Sequence, residues 1–177
     1  LCELTYADDP LKVMVDIDIC TATEKKYGDA PVVQAVSQIR DRAIQLGLKE
    51  QTWEPKYVVA IGSRWKKKSD GSLVWKYSAH VVFQDIGAIN RKALLAFMEP
   101  ICKQNPTVDR TIYASKKTQL FRFINSYKWD DPSKTRLEPE IRLCTVDKVK
   151  YAMFQVSTPV ESALVIQETP SSRRRGR

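Results

Sequence analysis

Val13-Met14-Val15-Asp16-Ile17-Asp18-Ile19 is the stretch whose reading decides the fold. Successive side chains of an extended strand point to opposite faces. Asp16 and Asp18 therefore share one side, and Val13, Val15, Ile17 and Ile19 share the other, which predicts a strand anchored in a core. Two neighbouring carboxylates repel each other and lose hydration unless a cation or hydrogen-bond donors lie between them. A divalent metal held in oxygen ligands is the commonest use of such a pair. An edge strand showing acids to water is the alternative.

The chain around this strand has 177 residues, which suits one domain or two small packed lobes. Its composition, 43% hydrophobic and 28% charged, excludes a disordered chain. No run approaches the roughly 20 apolar residues that span a bilayer, so no membrane partner is expected. The opening Leu-Cys-Glu-Leu has neither an initiator Met nor a signal peptide and reads as a piece of a longer protein. A net charge of +8 suggests a polyanionic partner. The four cysteines, Cys2, Cys20, Cys102 and Cys144, lack zinc-knuckle spacing, and His80 is the single histidine, which argues against structural zinc. Scattered thiols suit an intracellular, reducing compartment.

Beyond the polar run Thr21 to Gly28, Asp29 and Pro31 start a helix that carries Val32, Val33, Val36, Ile39, Arg40, Ala43 and Ile44 at helical period. Gly47 stops it. Tyr57 to Ile61 and the run around Trp75 to Phe83 are β-branched and apolar. Between them, Lys66-Lys67-Lys68 and the turn Ser69-Asp70-Gly71-Ser72 predict a hairpin with a basic tip. Ala88 to Lys103 predicts a second helix, disturbed by Pro100 in its last turn. Val108 to Tyr113 and Leu120 to Tyr127 predict strands. Ile141 to Val146 suits a strand, and Val149 to Val156 suits helix or strand. Ser171 to Arg177, with four arginines, predicts a solvated tail or linker after a domain at residues 1–170.

Two further stretches carry chemistry. In Lys76-Tyr77-Ser78-Ala79-His80, the strand period places Lys76, Ser78 and His80 on one face. A cation, a hydroxyl and an imidazole in a row are three donors for phosphate oxygens; an exposed face with an incidental histidine is the alternative. Farther on, Asp109 follows an apolar residue at the start of a predicted strand, where a third metal carboxylate could enter. Arg122 and Lys128 are an even number apart and would share a face of one continuous strand, Arg suited to bidentate phosphate contact and Lys to point-charge contact; ordinary surface charges are the alternative. The order of two acids, Lys/Ser/His, one acid, then Arg and Lys matches the needs of nucleotidyl transfer. There, carboxylates hold two Mg²⁺ or Mn²⁺ ions about 3.5–4 Å apart, and cationic donors hold a triphosphate in line.

These residues resemble the archaeo-eukaryotic primase superfamily, most closely its PrimPol-like and large-DNA-virus primase branch. The acidic pair matches Asp16-Ile17-Asp18, the Ser-x-His motif matches Ser78-Ala79-His80, and the third acid matches Val108-Asp109. Tyr113, Phe121-Arg122 and Ser126-Tyr127-Lys128 follow in the family's order. PrimPol proper usually has Glu at the second acidic position. The resemblance implies an α+β fold of two mixed α/β lobes, the second RRM-like, with the active site in the cleft between them. It implies that Asp16, Asp18 and Asp109 are catalytic and bind Mg²⁺ or Mn²⁺. It also implies that Lys76, Ser78, His80, Arg122 and Lys128 contact the incoming nucleoside triphosphate. The activity implied is that of a DNA primase or primase-polymerase on a single-stranded or primed DNA template, with any helicase or zinc module outside this stretch.

The basic hairpin, Arg64, Lys66, Lys67 and Lys68, is the expected contact for template phosphates, with strong salt dependence. Two other classes are weighed. A rolling-circle initiator nuclease needs paired histidines, which the single His80 does not supply. An RRM-like single-strand binding module without catalysis would use aromatics such as Trp75, Tyr77 and Phe121, but an acidic trio would repel its ligand.

Overall fold

A computed structural model describes residues 2–114, 118–122, 124–125, 135–157 and 164–166. The central sheet is built on one long strand, β5 (Leu73–Ala88). The stretch quoted at the outset lies in β2 (Leu11–Thr21), which runs antiparallel along one β5 edge from Trp75 to Ala88, with an irregularity between Lys12 and Met14. The other edge is shared in succession by β4 (Arg64–Lys67), β3 (Tyr57–Ile61) and, in parallel, β8 (Leu164–Ile166). A two-residue strand, β7 (Glu138–Pro139), closes the far side of β3. Separately, β1 (Cys2–Tyr6) pairs antiparallel with β6 (Thr118–Arg122). The whole is a mixed α+β fold around an antiparallel sheet.

Both helices form where the apolar period predicts. α1 (Ala30–Gln45) buries Val32, Ala35, Ile39 and Ala43, while Val33 is exposed. Asp29 precedes it without a side-chain cap, and Gly47 takes the left-handed φ of +67° that the chain needs to leave the last turn. α2 (Arg91–Gln104) starts later than the sequence suggests. Ala88 still belongs to β5, paired with Leu11 and Ile166, and the Asn90 side chain caps the helix by accepting from Ala93 N–H. Pro100 lies inside α2, which continues to Gln104.

The sheet has two unlike faces. Val13, Val15, Ile17, Ala79, Val81, Phe83 and Val59 are each fully buried, as the alternation from Val13 onward requires. On the opposite face Met14, Val82 and Ala60 are covered by residues from late in the chain, Ile124, Leu137, Phe154 and Val156. The Glu3 carboxylate anchors this cover by accepting from the Val156 and Ser157 backbone N–H groups, and Lys12 N–H donates to Val156 C=O. Past Met14 and Val82 the same face turns polar, at Asp16 and His80.

Several strand expectations fail, each for a local reason. From Val108 to Tyr113 the chain makes one bridge, Val108 to Ile17, and then a 3₁₀ turn over Arg110–Tyr113. Ile141–Leu143 is a 3₁₀ turn rather than a strand, and Val149 to Val156, expected as helix or strand, holds a 3₁₀ turn at Tyr151–Phe154. The continuous strand expected to carry both Arg122 and Lys128 is broken, because β6 ends at Arg122 and Asn125 has a φ of +58°, incompatible with an extended run. Ser126, Tyr127, Lys128 and the tail at 171–177 lie outside the described residues, as do the side chains of Phe121 and Arg122.

Candidate metal centre

The polar region is a grid set by strand register. In β2 and β5, Asp16 lies directly across from His80, Asp18 from Ser78, and Cys20 from Lys76. Cross-strand partners project from the same face, so the two acids and the Lys/Ser/His row form adjacent columns. The chain after α2 extends the grid along the free edge of β2. Asp18 N–H donates to Thr107 C=O and Asp109 N–H donates to Asp16 C=O, both at 2.8 Å, on either side of the Ile17–Val108 bridge. Asp109, Asp16, His80 and Ala60 thereby form one rung across three strands and the bridging segment.

One carboxylate oxygen from each of Asp16, Asp18 and Asp109 lies within 4.8 Å of the others. Asp16 and Asp18 are largely buried, with side chains 15% and 24% exposed. Their cationic neighbours are close. Lys76 Nζ donates to Asp18 Oδ2 at 2.5 Å, reaching diagonally across the ladder, and His80 Nε2 lies 3.4 Å from Asp16 Oδ1. Even so, Asp16 Oδ1 and Asp18 Oδ1 are buried without a hydrogen bond. Burial pushes the Asp16 carboxyl above the ordinary carboxylate range; His80 and Lys76 pull it down, and Asp18 and Asp109 push it up. Buried acceptor oxygens left unmatched beside two further carboxylates are costly as they stand. They fit an oxygen-ligated divalent cation such as Mg²⁺ or Mn²⁺.

Local hydrogen bonds place the third acid. Asn105 Oδ1 accepts from Thr107 N–H and from its hydroxyl, and Asp109 Oδ1 accepts from Thr111 N–H and from its hydroxyl. Asn-Pro-Thr and Asp-Arg-Thr thus make the same turn twice, four residues apart. The repeated Asx-x-Thr spacing is the sequence signal for both turns. The Asn105 amide also donates to Gln38 Oε1 on α1 at 2.9 Å. Tyr113, fully buried, donates its hydroxyl to Met14 C=O at 2.7 Å, pinning the 3₁₀ turn to the strand just ahead of Asp16. Asn105 and Tyr113 are positioning residues that the strand reading did not identify as such.

The other predicted residues divide. Ser78 sits in the row at 3% exposure. Arg64 separates from the basic hairpin tip with which it was grouped. It lies across from Lys76, on the side of the acids, only 6% exposed, with its guanidinium 3.4 Å from Gly62 C=O. Lys66, Lys67 and Lys68 are exposed. Tyr77, named for base stacking in the binding-module alternative, is 4% exposed with its ring against Tyr27, so it presents no face to a ligand. No family model and no curated protein matches the chain.

Proposed function

We propose that this chain is the catalytic domain of a template-directed nucleotidyltransferase, a DNA primase or primase-polymerase that makes or extends primers on single-stranded DNA. One observation carries the reading: the register that sets an acid column, Asp109, Asp16 and Asp18, beside a donor column, His80, Ser78 and Lys76, on one part of a sheet face. An anion-binding row alone would suit many ligands, and an acid cluster alone none in particular. Side by side they suit a substrate that is both metal-chelating and polyanionic, as a nucleoside triphosphate is.

In this reading Asp16, Asp18 and Asp109 hold the divalent cations, which supply charge neutralisation for the triphosphate and activation of the attacking hydroxyl. Ser78 and His80 donate to phosphate oxygens from fixed strand positions, so little reorganisation is needed when negative charge develops. Lys76 shares its ammonium between Asp18 and the entering anion. The two-lobed primase architecture and the triphosphate roles of Arg122 and Lys128 belong to the same proposal.

The test is incorporation of labelled nucleotide on primed and unprimed single-stranded template, with Mg²⁺ or Mn²⁺ and each triphosphate set. Metal-dependent product in the wild type, abolished in Asp16→Asn while template binding survives, supports the reading. Absence of product together with absence of Mn²⁺–triphosphate binding would sink it.

A further inference from the structure

The hairpin of β4 and β5 carries an aromatic pair that nucleotidyl transfer does not use. Trp65 and Trp75 are direct cross-strand partners, edge-on with ring centroids 5.6 Å apart. Both occupy odd positions, so they project from the face opposite Lys76, Ser78 and His80. Trp75 is held in place, its indole N–H donating to Lys25 C=O at 3.1 Å. Trp65 is 41% exposed and Leu73 60% exposed. The pair sits where β2 has run out, since the last β2 residue, Thr21, is the one across from Trp75.

The hairpin and the segment that Trp75 touches are rich in lysine. Lys25, Lys26, Lys66, Lys67 and Lys68 are all exposed, and Lys67 lies across from Leu73 on the aromatic face itself. Against them stand Glu24 and Asp70, and the Asp70 carboxylate already accepts from the Ser72 N–H and hydroxyl. A solvent-facing indole on a buttressed partner, with Lys67 on the same face, is complementary to a ligand with phosphate charges and unpaired π-faces.

We propose that this hairpin face is a binding site for single-stranded nucleic acid, with a base stacked on Trp65 and an adjoining phosphate on Lys67. Base–aromatic stacking tolerates any sequence, and a lysine cluster tracks the backbone. The inference deepens the reading of the hairpin as a template contact. It stands on the other face of the sheet from the acids, so either can fail alone.

The experiment titrates the whole chain with oligo(dT) at fixed salt, following tryptophan fluorescence and anisotropy. Trp65→Ala is expected to weaken binding about tenfold or more, the weight of one stacked base, while Trp65→Phe retains most of the affinity. Lys67→Gln should flatten the salt dependence by about 0.7 in log–log slope. Mn²⁺–triphosphate binding should be the same in all of these variants. If Trp65→Ala fails to fold, Trp65→Leu keeps the apolar bulk and removes only the π-face. Unchanged oligo(dT) affinity in a folded Trp65→Ala or Trp65→Leu would overturn the site. So would equal competition by polyglutamate, anionic phospholipid vesicles or duplex DNA, none of which offers unpaired bases.

Discussion

The two faces of β5 obey the same alternation and have opposite fates. At Tyr77, Ala79, Val81 and Phe83 the chain buries apolar side chains, each at most 4% exposed. At Lys76, Ser78 and His80 it sets charge and hydroxyl against Asp16 and Asp18. One face earns its stability from packing; the other holds carboxylate oxygens that no donor satisfies. Stability and candidate chemistry therefore sit one residue apart along the same strand, and substitutions on the two faces should separate cleanly.

The largest break in that contrast is expected from Phe83→Ala. Phe83 is fully buried, and a truncation of this kind costs about 3–5 kcal/mol, measurable as a lower denaturation midpoint. Next comes Asp109→Asn on the polar side. Its amide oxygen can still accept from Thr111, so the turn survives, and the stability change should stay below about 1 kcal/mol. Nucleotide incorporation should nevertheless fall by more than the roughly 100-fold seen at most for outer-shell partners of a metal. A near-normal rate in this variant would remove Asp109 from the site.

Tyr113→Phe probes the join between the faces. It deletes the hydroxyl that donates to Met14 C=O, leaving a buried acceptor unmatched at about 1–3 kcal/mol. Because Tyr113 pins the segment carrying Asp109, weaker Mn²⁺ binding should accompany the stability loss; stability loss alone would make Tyr113 merely structural. The smallest effect is that of pH on the metal-free protein. The Asp16 carboxyl lies above its ordinary range in the fold, so the native state holds its proton more tightly than the unfolded chain. This contribution to stability is present at and below the ordinary carboxylate pKa and is lost as pH rises through the folded value. Thermal melts in chelator should show that decline, Asp16→Asn should remove it, and added Mn²⁺ should reverse it.

Much of this contrast was legible in the residues. The period of two from Val13 to Ile19 and from Lys76 to Val82 assigned each side chain to its face, because alternation is a property of the extended backbone itself. The helices around Ile39 and Phe97 were legible for the same kind of reason. The third acid was reached by motif order but given the wrong local structure. Asp109 is held by a single bridge and a 3₁₀ turn, and the interactions that hold it, Asn105 with Gln38 and Tyr113 with Met14, join residues far apart in the chain. Arg64 likewise could not be told from Lys66 by charge.

By itself, then, the sequence determined which residues of a strand share a side, since that depends only on backbone geometry within a few residues. The tertiary structure alone decided which rung meets which. Register is a matter of hydrogen bonds between distant segments, and a shift of one residue would have sent every acid to the opposite face. It also decided that residues as late as Phe154 and Val156 cover Met14 and Val82, because that depends on how a late segment packs on an early strand.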